Sequence, residues 1–138
     1  MTRTPTRVYT LVAGLLLLLQ GTSTLAFRLS PPLDRAFPAL LEVTQMVPSH
    51  SLLHIVSALA AFWALWGAGP RGTYWFALAF GLGYVGLAVA GRVSGMHLGL
   101  GLQPFDHPFH VLVGMLGLLA AFFDRGRHRK SRGGAYDQ

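Results

Sequence analysis

The sequence predicts an all-α fold: an integral membrane four-helix bundle, arranged as two tandem helical hairpins. Three observations carry this. Only 12% of the 138 residues are charged, about half the share of a soluble protein. Hydrophobic residues make up 52% and the mean hydropathy is +0.47. A soluble surface needs more charge than this, and a disordered chain needs far fewer apolar groups. Third, Asp, Glu, Lys and Arg are absent from four long runs, of 20 residues (8–27), 28 (43–70), 20 (72–91) and 17 (107–123). A helix of about 20 residues rises roughly 30 Å, the thickness of the hydrocarbon core.

The first span is expected at 8–27. Its rival is a secretory leader, with Arg3 and Arg7 as the basic region and Thr24-Leu25-Ala26 as the cleavage site. The uncharged run is long enough to cross, which favours retention. The second span, 49–68, opens at Pro48-Ser49, a helix-start signal. The third, 73–93, carries Ala79, Gly83, Gly86 and Ala90 on one stripe, read as a helix-packing seam. Trp63, Trp66, Tyr74 and Trp75 gather at the turn between these two spans, as an aromatic belt at the interface does. The fourth span, 108–123, follows Asp106 and Pro108. It is short, which suits a thinner bilayer. Residues 1–124 thus form the transmembrane domain, and 125–138 a basic tail.

Lys and Arg set the orientation. Arg3, Arg7, Arg71, Arg125, Arg127, Arg129, Lys130 and Arg132 give eight positive residues on one side, against Arg28, Arg35 and Arg92 on the other. Both termini are therefore expected in the cytoplasm of a cell-membrane protein. The basic tail fits a contact with anionic lipid. No nucleic-acid reading motif accompanies it, so nucleic acid is not an expected partner. The bilayer is the first partner, with a second copy or another membrane protein beside it.

The run Ser51-Leu52-Leu53-His54-Ile55-Val56-Ser57-Ala58 overlays His107-Pro108-Phe109-His110-Val111-Leu112-Val113-Gly114 at an offset of 56 residues. Both copies begin a span. Two spans per unit make the repeats parallel, related by an axis along the membrane normal. With Leu52-Leu53-His54-Ile55-Val56, Gly83-Tyr84-Val85-Gly86-Leu87-Ala88 and Asp106-His107-Pro108-Phe109-His110-Val111-Leu112-Val113-Gly114, the chain resembles the bacterial four-span membrane proteins catalogued as domain-of-unknown-function family 4383. The resemblance covers nearly the whole chain. It implies an integral membrane protein with the first span retained, and no reaction.

Five of the six histidines fall on the outer side of this arrangement: His50, His54, His97, His107 and His110. His50 and His54 share a helix face at i, i+4, continued by Ser57 and Ala61. His107 and His110 share one at i, i+3, continued by Gly114, Gly117 and Ala121. The plain expectation is that these imidazoles hydrogen-bond neighbouring helices or interfacial water. On that reading there is no cofactor and no metal. One alternative is a proton relay; the other is ligation, since neutral imidazole binds zinc, copper or haem iron. His54 and His110 would be an axial pair for haem, and His50, His54, His107 and His110 a cluster for a metal ion. With no cysteine in the chain, thiolate chemistry is excluded.

No nucleophile elbow, phosphate loop, zinc-hydrolase helix or dinucleotide fingerprint is present. The loops are too short to house a catalytic domain. The first functional reading is a structural or accessory, non-enzymatic membrane bundle. The second is a haem- or metal-binding redox membrane protein that uses the outer histidines. The third is a small transporter or channel subunit.

Overall fold

The computed structural model describes residues 4–36, 47–94, 99–102 and 104–133. Helix α1 spans Pro5–Leu29, and the Thr4 hydroxyl caps it by accepting from the Arg7 N–H. Proline at the first position costs nothing there, because its missing N–H would have had no partner within the helix. A short helix α2, Pro31–Ala36, follows. Helix α3, Pro48–Trp66, again starts on a proline. Gly67 and Ala68 join it to α4, Gly69–Ser94, and Gly69 adopts a φ of 64° that an L side chain resists. Helix α5 runs Asp106–Gly133, with Asp106 in its first turn. It continues past residue 123, so the first part of the tail is helical. Arg and Lys are good helix formers, and their charge suits a helix C-terminus.

The four long helices are each long and apolar enough to cross a membrane. They pack as an all-α four-helix bundle, and the chain is a multi-pass membrane protein. Helix α1 packs most extensively on α3, and α4 on α5. The smaller α1–α5 and α3–α4 interfaces match each other in extent, and α1 meets α4 across the bundle. This pattern is what two hairpins related by an axis along the helices produce. One end of the bundle holds the start of α1, the α3–α4 turn and the end of α5. We call it the terminal end, and the other the loop end.

The interior is built mainly of small residues: Ala13, Ala58, Ala61, Ala64, Ala77, Ala88, Ala120 and Ala121 are buried, around a core of Leu17, Ala58 and Tyr84. Leu15, Leu16, Leu19, Leu59, Leu82, Leu112 and Leu116 point outward. In lipid a leucine gains little by turning inward, whereas small residues let backbones approach. The stripe expected on the third span is the wrong one. Gly83 and Gly86 are exposed, and a Cβ at either would meet nothing. The face that packs carries Thr73, Ala77, Gly81, Tyr84, Ala88 and Gly91. Two stripes of small residues lie on opposite sides of α4, and the buried one also carries the helix's inward polar groups.

Glycine is required where α1 crosses α3. A Cβ at Gly21 would lie 2.7 Å from the Ser51 carbonyl oxygen and 2.9 Å from Ile55 Cγ1. Gly21→Leu is expected to lower stability by about 1–3 kcal/mol through overpacking. Unfolding of the purified variant by denaturing detergent, followed by circular dichroism, measures this directly.

At the terminal end, Asp124 joins three helices. Its Oδ2 accepts from the Thr6 N–H at 3.2 Å and from the Thr6 hydroxyl, and the Thr6 hydroxyl lies 3.4 Å from that of Thr73. Thr6, Thr73 and Asp124 are all buried. The carboxylate thus satisfies an N–H at the start of α1 that has no partner within its own helix.

Candidate metal centre

Near the loop end, α3 and α5 bring three imidazoles together. His50 and His54 stand one turn apart on the inward face of α3, with ring centroids 4.6 Å apart. His110 reaches them from α5, with its ring 5.8 Å from that of His50. Relative exposures are 0% for His50, 0% for His54 and 1% for His110. One nitrogen from each ring can be chosen so that all three lie within 4.8 Å of one another. Five of the six ring nitrogens are buried without a hydrogen-bond partner: both of His50, both of His54, and Nδ1 of His110.

The trio rests on the apolar core. The Tyr84 ring packs edge-on to His110 at 4.8 Å and parallel to His54 at 6.4 Å, and Phe80 backs it at 4.0 Å. The Tyr84 hydroxyl is also buried without a partner. From α1, Thr24 pins α3 beside the site through a 2.9 Å hydroxyl pair with Ser51. Above it, the Ser49 hydroxyl donates to the Gly99 carbonyl at 2.7 Å, and buried Leu102 packs on Gly91.

Of the four candidate ligands read from the sequence, three converge. The fourth, His107, is half-buried one turn nearer the loop end. Its Cε1 fits where a Cβ at Gly91 would be, and its Nδ1 is buried without a partner. His97 and Glu42 lie outside the described residues. Arg92 is exposed.

The repeat offset relates His54 to His110, as the sequence overlay implies. It also relates His50 to Asp106. Asp106 is buried, 4% exposed, in the first turn of α5. One hairpin therefore gives two imidazoles, and the other gives one imidazole and a carboxylate. In the sequence Asp106 stands out as a helix-start signal, and Tyr84 only as part of a motif on the third span. Helical spacing held the clue, because Asp106 is one turn before His110, as His50 is before His54.

Three neutral imidazoles suit a borderline transition metal. An ion bound 2.0–2.1 Å from each nitrogen brings the nitrogens to about 3.5 Å from one another, a closure of about 1 Å within reach of side-chain rotation. No known family model, curated protein or solved structure matches the chain.

Proposed function

We propose that this multi-pass protein resides in the cell membrane with both termini in the cytoplasm, and that it binds a transition-metal ion through His50, His54 and His110. The observation that carries the reading is the set of five buried ring nitrogens without partners. Each such group costs about 1–3 kcal/mol when left unsatisfied. Histidines kept for helix packing alone would hydrogen-bond their neighbours, and these face one another instead. Metal ligation satisfies the facing nitrogens together.

Haem is the weaker form of this reading. Between His54 and His110, the porphyrin plane would run through the space of the His50 ring, whose nitrogen is within 4.8 Å of both partners. A pore through one chain is also disfavoured, because Leu17, Ala58 and Tyr84 fill the middle of the bundle. The excess of Lys and Arg on the side of the termini supports the orientation. Membership of the four-span family that the sequence resembles belongs to the same reading.

Metal analysis of the purified protein is the test. We expect about one equivalent of ion in the wild-type chain after loading, and under about a tenth in His54→Ala or His110→Ala, since a trigonal site does not survive loss of one ligand in three. A wild-type protein that takes up no ion, and does not differ from these variants, would overturn the proposal.

A further inference from the structure

We infer that a groove between α3 and α4 at the terminal end is a binding site for an anionic phospholipid, with the acyl chain lying along the helices and the phosphate on Arg71. The site is independent of the histidines.

The argument starts from the placing of one charge. Runs 43–70 and 72–91 hold no Asp, Glu, Lys or Arg, so Arg71 carries the one fixed charge of the α3–α4 hairpin as far as Gly91. It stands exposed in the first turn of α4, which has no acidic residue. Beside it a groove of about 420 Å³ opens between the two helices, within the size range of small-molecule sites.

Small residues make the floor. Ala60, Ala64 and Ala68 recur every four residues along α3 and its turn. Gly72 of α4 closes on them: a Cβ there would overlap Ala68 Cβ and lie 3.1 Å from the Ala64 carbonyl oxygen. Eight residues of helical rise make the furrow about 12 Å long. Trp63, Trp75 and Phe76 wall it, and Ala60, Trp63 and Trp75 are exposed on its outer side. A multi-pass protein meets lipid there, and an extended hydrocarbon chain matches a furrow of this shape.

The polar end of the groove selects the headgroup. Among the described residues, Arg71 is the only charged one in the lining. The Trp63 indole nitrogen lies beside Gly67, 3.1 Å from where a Cβ would stand. Its N–H is thus at the turn, where amphipathic indoles meet headgroups. A guanidinium binds phosphate oxygens in pairs. Two tryptophans alone would suit a quaternary ammonium. A guanidinium in the same lining repels that group, so a headgroup with net negative charge is favoured over a zwitterionic one.

The chain's three tryptophans, Trp63, Trp66 and Trp75, all stand near this turn, so their fluorescence reads the site. The full-length protein in detergent micelles is titrated with phosphatidylglycerol or phosphatidylcholine carrying the same brominated acyl chains, whose bromines quench indole on contact. We expect half-maximal quenching at about fivefold less phosphatidylglycerol, the preference that one Arg beside anionic lipid gives. The preference should shrink as salt rises, which tests the charge without any variant. Arg71→Gln should remove it, and Arg71→Lys should retain part of it. Arg127→Gln combined with Arg129→Gln alters only the tail and should leave it in place. Ala60→Phe fills the groove from its exposed side and should raise the amount of either lipid needed. Equal quenching by the two lipids would overturn the inference, as would a preference that survives Arg71→Gln or follows the tail charges. Emission that depends on protein concentration and not on lipid would also overturn it, by placing a second copy in the groove.

Discussion

Gly114→Leu should cost the bundle about 3 kcal/mol or more, and should weaken metal binding at the same time. A Cβ at Gly114 would lie 2.8 Å from the Gly81 carbonyl oxygen and 3.0 Å from the Val85 backbone nitrogen. The reverse holds at Gly81, whose Cβ would lie 2.8 Å from the Gly114 carbonyl oxygen. Backbone faces backbone at this crossing, so no side chain can rotate away. The only relief is separation of α4 from α5, and His110 sits on α5 one turn from the contact. Gly83→Leu is the matched control. It lies on the outward face of α4, where a Cβ meets nothing. It should shift stability by no more than about 0.5 kcal/mol. Unfolding of both variants in denaturing detergent, with metal uptake measured alongside, separates the two glycines.

Asp124→Ala is expected to destabilise by about 1.5–3 kcal/mol, the range for a buried hydrogen bond to a charged group. The loss leaves the Thr6 N–H and hydroxyl without their carboxylate acceptor at the start of α1. Asp124→Asn keeps an acceptor and should fall between wild type and alanine. Thr6→Val removes one of the two contacts, so a double-mutant cycle with Asp124→Ala should give a coupling of about 1 kcal/mol. Additive effects would mean that Asp124 acts elsewhere. Metal uptake should change little, because the cluster lies at the opposite end of the bundle from the histidines.

The helices were legible because charge is costly in hydrocarbon: four runs without charge became four long helices. The inward face of α5 was legible too. His110, Gly114, Gly117 and Ala121 are buried as their spacing implies. That stripe continues to Asp124 at the next step of three, yet a carboxylate at the end of an uncharged run reads naturally as an interface charge. Only the position of Thr6, at the far end of the sequence, turns it inward. On α4 two stripes of small residues compete, and composition alone favours neither. Thr73 and Tyr84 mark the buried one, because their hydroxyls are out of place against lipid. The histidine pairs were visible as pairs. Their union was legible only as one alternative, and which three of the four meet was not, since that depends on how α3 and α5 face each other across the axis.

The difference between His50 and Asp106 has a consequence for how such a site arises. Around a two-fold axis, identical hairpins contribute groups in even numbers, so a symmetric assembly offers two ligands or four. Three imidazoles require unlike halves. Joining both hairpins in one chain lets a single codon differ between them, which a homodimer of hairpins cannot do. The covalent link between α3 and α4 thus does more than tether two halves, because it is what permits an odd coordination number on a nearly symmetric scaffold.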